Sequence, residues 1–200
     1  GIQDFLTVDP RFGNCEDLLQ LVKESHDRGI YVILDIIINH TGDNWAYLGG
    51  ERAYRGNCPY HFGFWRRTEN ALGQDDAVWP QELQNPLYYK RKGFIRDFKE
   101  AELEEMVEGD FFSYKKLDLD HPSVIDCLIK IYKYWIAFSD VEGFRLDTAK
   151  HIGPIPCAQF CNAIKEYCQR IGKHNFQIFG EVYGNDEQIR NYLYRRVSAT

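Results

Sequence analysis

Apolar residues gather along this chain in two periods. At Tyr31–Ile38 they run almost unbroken, and a shorter run, Phe176–Gly180, ends in Glu181, as strands do when both faces of a parallel sheet are buried; at Val141–Leu146 they alternate, with Phe144 and Leu146 on one face and Arg145 and Asp147 on the other. Between these runs the spacing opens to three and four. Leu18, Leu19 and Val22 fall on one face of a helix that Asn14 can cap and Gly29 can end, through about Arg28. Val124, Cys127, Leu128, Ile131, Tyr134 and Trp135 stripe a second helix, from Pro122 to about Phe138; proline at its start removes an amide that has no partner there. A third helix is expected from about Cys157 to Ile171, ending near Gly172, and a fourth from about Asp186 to Arg195. Strand, helix and strand in alternation predict an α/β fold with a parallel sheet.

The alternation breaks from Thr41 to about Asp120. Glycines and prolines punctuate this stretch, and it is dense in aromatics, among them Trp45, Tyr47, Tyr54, Tyr60, Phe62, Trp65, Tyr88 and Tyr89. It predicts an irregular inserted subdomain over residues 41–120, between segments 1–40 and 121–200. Most of the aromatics are expected to serve its core, with one or two lining a cleft.

Each strand-like run ends in a polar group: Asn39 and His40 after the first, Asp147 after the second, Glu181 after the third. In a parallel sheet all C-terminal ends lie on one side, so these residues should converge, and α/β barrels keep their active sites on that side. Arg145 and Asp147 are two apart and point to the same face of their strand. Each can satisfy the other, as a charge facing the middle of a sheet requires.

These segments carry a family likeness. Asp35-x-x-x-Asn39-His40, then Gly143-x-Arg145-x-Asp147-x-x-Lys150-His151, then Gly180-Glu181, in this order and spacing, resemble three of the four signature regions of the α-amylase family, glycoside hydrolase family 13. The resemblance runs from Asp4 to about Asn185. It implies a partial TIM (β/α)8 barrel, about strands 2–5, with the insertion as the irregular domain B. On this likeness 1–40 reaches from the end of strand 2 to strand 3, and 121–200 from helix 3 to helix 5. It implies a retaining glycosidase of α-1,4-linked glucans, such as starch, glycogen or maltooligosaccharides, working through a covalent glycosyl-enzyme intermediate. Asp147 would be the nucleophile and Glu181 the general acid/base. Arg145 would hold Asp147 ionised, with Asp35 orienting Arg145. His40, Lys150 and His151 would bind the sugar. Carboxylates on neighbouring strand ends, where strands lie about 4.8 Å apart, suit retention better than inversion. The fourth signature and its third carboxylate are absent, so the chain reads as an incomplete catalytic domain, inactive alone, with the rest of its barrel missing. A transglycosidase of the same family and a non-catalytic amylase-like domain are the alternatives.

In many members of this family a calcium ion joins the insertion to the barrel. The matching ligands here are Asn39, the main-chain carbonyl of His151, and Asp118 in Lys116-Leu117-Asp118-Leu119-Asp120; hard oxygen ligands suit Ca²⁺. Leu117 stands where relatives usually have proline. No organic cofactor is implied.

Composition adds limits. The chain is 44% hydrophobic and 27% charged with a net charge of −6, which describes a folded domain and argues against a nucleic-acid partner. No apolar run reaches the length of a membrane helix. The six cysteines, Cys15, Cys58, Cys127, Cys157, Cys161 and Cys168, contain no Cys-x-x-Cys pair. Thiols left unpaired lean toward a reducing compartment.

Overall fold

The computed structural model describes residues 1–66 and 77–193. The chain folds as an α/β unit around a three-stranded parallel sheet. Its strands are β1 (Ile33–Ile36), β4 (Gly143–Leu146) and β5 (Gln177–Gly180), in the order β1-β4-β5. The strands are shorter than the apolar runs that predict them. After Ile36 the chain leaves the ladder because tertiary partners take over: the Tyr132 hydroxyl donates to the Ile37 carbonyl at 2.7 Å.

Four helices follow the expected pattern. Helix α1 (Cys15–His26) opens with a reciprocal cap: Asp17 N–H donates to Asn14 Oδ1 at 3.1 Å, and Asn14 N–H to Asp17 Oδ2 at 2.9 Å. Helix α3 (Pro122–Ser139) ends at Asp140, which takes the left-handed conformation at φ 60°. A short helix α5 spans Asp186–Arg190; positions 194 and 195 of the helix expected there lie outside the described residues. Helix α4 (Pro154–Arg170) starts three residues before the expected Cys157. Pro154 and Pro156 fall in its first turn, where no amide hydrogen is missed.

The register sorts the side chains. Phe144 and Leu146 of β4 point to the helices; Arg145 lies in a row with Asp35 and Phe179 on the opposite face. On the helix side, Phe144 meets Tyr132 of α3 at 5.6 Å and Phe176 at 5.0 Å between ring centroids, both edge to face. Tyr132 meets Phe160 of α4 in the same way at 5.6 Å. Phe144 is fully buried at this junction. Its truncation to alanine is expected to cost about 3–5 kcal/mol, read as a lower urea midpoint with unchanged slope. A loss under about 1 kcal/mol would show that the junction closes over the gap.

Residues 41–120 hold less regular structure. An antiparallel pair, β2 (Trp45–Tyr47) and β3 (Phe62–Trp65), is followed by two single 3₁₀ turns and helix α2 (Leu103–Glu108). Trp45, Tyr47, Leu83 and Tyr89 are buried in one cluster with Phe144, Leu146 and Val124, so the core of this stretch is continuous with that of the sheet. Residues 67–76, including Gly73 of the expected glycine breaks, lie outside the described residues. The first residues, expected as a strand end, make no ladder with β1. Asp4 forms an isolated bridge with Trp79, and the Trp135 indole N–H donates to the Phe5 carbonyl at 2.8 Å.

Candidate active site

Two main-chain bonds carry the parallel ladders one step past the strands. Asp147 N–H donates to the Ile36 carbonyl and Glu181 N–H to the Leu146 carbonyl, each at 2.9 Å. Asp147 and Glu181 therefore leave adjacent strand ends on the same side of the sheet. A Cβ on Gly180 would stand 2.9 Å from Ala149 Cβ, so glycine lets β5 end against the turn that follows Asp147.

Arg145 ties the carboxylates together. Its Nη1 donates to both oxygens of Asp35, at 2.8 and 2.7 Å, and to Asp147 Oδ1 at 3.0 Å. Its Nη2 pairs with Glu181 Oε1 at 3.0 Å. Bonding to Asp35 and Asp147 pushes the guanidinium pKa further up from its ordinary value. The expected Arg145–Asp147 pair is thus part of a wider cluster holding three acids around one cation.

Past Asp147, Thr148 takes the left-handed backbone at φ 52° and leads into the 3₁₀ turn Ala149–His151. This region is unfavourable for a β-branched residue, and such strain gathers at functional sites. The turn sends Lys150 and His151 in different directions. Lys150 is half-buried and its carbonyl accepts from the Tyr192 hydroxyl at 2.8 Å. His151 is buried, with Nδ1 donating to the Met106 carbonyl at 2.9 Å.

His40 is 2% exposed. Its ring lies flat between Phe111 and Tyr114, with centroids 5.4 and 5.1 Å away and planes within 1° and 9°. Asn39 Nδ2 donates to His40 Nδ1 at 3.1 Å. Burial, then the Lys116 charge, lowers the His40 pKa to about 3; burial lowers that of His151 to about 4. The Asp147 charge opposes the shift at both rings. Phe111 touches both histidines, meeting His151 edge-on at 4.9 Å.

Both histidines are held neutral when folded, whereas in the unfolded chain they take a proton near pH 6.5. Stability from their burial is therefore complete above that value and drains away as pH falls toward 4 and then 3. A melting series from pH 7 to 4 should fall steadily, and His40→Gln should flatten part of the slope. A profile unchanged by that substitution would remove His40 from the account.

The sequence alone did not single out Phe111 and Tyr114, whose role appears only when the chain returns to β1. It also passed over Lys116 as a functional group; its only signal was a Lys-Lys pair set among Tyr114, Leu117 and Leu119.

The family model for the α-amylase catalytic domain matches residues 1–198. The chain belongs to the α-amylase family. It is 30% identical to an α-amylase of Streptomyces lividans over 94% of its own length and 23% of that protein's. It superposes on the crystal structure of the Geobacillus thermoleovorans α-amylase, solved with acarbose, with a TM-score of 0.69 and 28% identity, covering 96% of this chain and 34% of that one. A cyclomaltodextrin glucanotransferase structure is similar at a TM-score of 0.64 and 28% identity, covering 91% of this chain and 32% of that one. The chain thus spans about a quarter to a third of the length of these α-amylase family relatives.

The residues expected to hold calcium are arranged as follows. Asn39 and the His151 carbonyl do converge, but on the ammonium of Lys116. Asp118 turns to Lys90, 2.8 Å from its Nζ. Among the described residues no group of three or more His, Cys, Asp or Glu side chains could hold a metal ion. As arranged here, the Lys116 amine, bonded to Asn39 Oδ1 and the His151 carbonyl, stands between two members of the expected set.

Proposed function

We propose that this chain supplies the nucleophile and the general acid/base of a retaining glycosidase that acts on α-1,4-linked glucans. The observation that carries the reading is the shared guanidinium of Arg145, in contact with Asp147 and Glu181 at adjacent strand ends. Asp147 attacks the anomeric carbon while Glu181 protonates the leaving glycosidic oxygen. Water then enters, deprotonated by Glu181, and cleaves the glycosyl–Asp147 ester. Arg145 holds Asp147 in place for the first step through its bond to Oδ1. Glu181 faces Arg145 Nη2, so the acid step needs it protonated and turned toward the substrate. His40, with Nδ1 engaged by Asn39, carries its proton on Nε2 and can donate to a sugar hydroxyl. By the family likeness, Lys150 and His151 would meet the glucan on the leaving-group side.

The same reading makes the sheet part of a (β/α)8 barrel, about strands 2–5, with 41–120 as domain B. The helix-free face supports it: Ile33 and Phe179 are 45% and 48% exposed there, as expected of barrel-interior side chains waiting for further strands. In that reading a later strand brings the third carboxylate.

The test is proton NMR of the first product formed from an α-linked maltooligosaccharide by the full-length protein. Retention gives the α-anomer first; a β-anomer would remove Asp147 as nucleophile. Chromatography of the same digest addresses a second reading, favoured by the similarity to a cyclomaltodextrin glucanotransferase. Oligosaccharides longer than the substrate would mark a transglycosidase.

A further inference from the structure

Lys116 carries its amine inside the protein, 1% exposed, where burial pushes its pKa down to about 7, so it is an ammonium below that pH. Its ammonium donates to Asn39 Oδ1 and, at 2.8 Å, to the main-chain carbonyl of His151. Its backbone is stitched to the same region. Lys116 N–H donates to Asp110 Oδ1 at 2.9 Å, and the next amide, Leu117 N–H, to the Asn39 carbonyl at 3.1 Å. A proline at 117 would lack that donor. One side chain therefore bridges the insertion, the end of β1 and the turn after β4.

The bridge also fixes directions. An amide next to an ammonium must present its oxygen, since its NH₂ would meet only donors. Asn39 is thereby oriented, and its Nδ2 is left to donate to His40 Nδ1 at 3.1 Å. A ring nitrogen that accepts carries no proton, so the His40 proton sits on Nε2. Nearby, Lys90 holds both Asp118 and Asp120, at 2.8 and 2.6 Å, so the two carboxylates share one cation.

We propose that Lys116 is a resident monovalent cation and a positioning residue: its ammonium replaces a divalent ion in joining the insertion to the strand ends, and through Asn39 it sets the tautomer of His40. Only the use of that tautomer for sugar binding rests on the proposed glycosidase; the bridge itself does not.

The experiment uses the full-length protein and no activity assay, so it can fail or succeed independently of the glycosidase reading. Wild-type protein is melted with excess EDTA and with millimolar calcium chloride. A protein with no site for the ion gives one midpoint in both, within about 1 °C. A midpoint that EDTA lowers and calcium restores would overturn the replacement. Long-range ¹H–¹⁵N spectra then read His40 directly. Wild type should show the Nε2–H tautomer alone. Lys116→Met should melt lower and show both tautomers, and Lys116→Gln, which keeps a neutral donor, should lie between. If the methionine variant does not fold, the glutamine variant carries the comparison. A single Nε2–H tautomer in whichever of these folds would overturn the positioning role.

Discussion

Asp147→Asn should lower turnover of a maltooligosaccharide by the full-length enzyme by about 10⁴-fold or more, the scale on which loss of a nucleophile acts. The substitution is nearly isosteric. Asparagine keeps an oxygen for Arg145 Nη1, which also retains both bonds to Asp35. Fold stability should change little, because Arg145 stays paired and the position is part-exposed. An amide cannot form the glycosyl ester, so the loss falls on kcat with little change in KM. The check is single-turnover kinetics beside a melting curve. A loss under tenfold with an unchanged melt would mean that another group attacks the sugar.

Glu181→Ala should separate the two roles by the chemistry it spares. With a natural glucan, which needs a proton on its leaving oxygen, the rate should drop by about 10²–10⁴-fold. With an activated aryl glycoside the first step needs no acid, and the glycosyl–Asp147 ester should accumulate. Sodium azide should then restore turnover. The Glu181 side chain is 49% exposed against 28% for Asp147, so its removal leaves a space that a small anion can enter from solvent. Azide would attack the ester from that side and release the α-configured glycosyl azide, identified by NMR. A β-configured azide from this variant would reverse the assignment of the two carboxylates.

Much of this arrangement was legible in the sequence. Apolar runs located β1 and β5, alternation of Phe144 and Leu146 with Arg145 and Asp147 located β4, and Asn14 and Pro122 located the starts of α1 and α3. The polar ends of the runs identified Asp147 and Glu181 as neighbours, since parallel strands share an end. What pattern could not supply was reach between elements. Local spacing offered Arg145 one partner, Asp147, whereas the register adds Asp35 and Glu181. Phe111 and Tyr114 flank His40 from some seventy positions away along the chain. Lys116 was the hardest to read. A lysine beside another lysine has the signature of a solvated turn, and only tertiary packing buries it against Asn39 and the His151 carbonyl. The motif match that suggested calcium ligands carries no information about a side chain that fills the space between them from within.

The pairing of Ile33 with Gly143, and of Asp35 with Arg145 beside it, joins segments 110 residues apart. Closing so long a loop costs little more than closing one half its length, since the entropy grows only with the logarithm. The delay is in time. A ribosome adding about 5–20 residues per second emits β4 roughly 5–20 s after β1. The Trp45–Tyr47 and Phe62–Trp65 hairpin, whose partners are close in sequence, can form within microseconds of emerging. Nascent β1 therefore waits, with the edge that takes β4 unpaired, while the hairpin beside it can already form. Slow codons between residues 41 and 142 would lengthen the period in which Leu34 and Ile36 are open to pairing with another nascent chain.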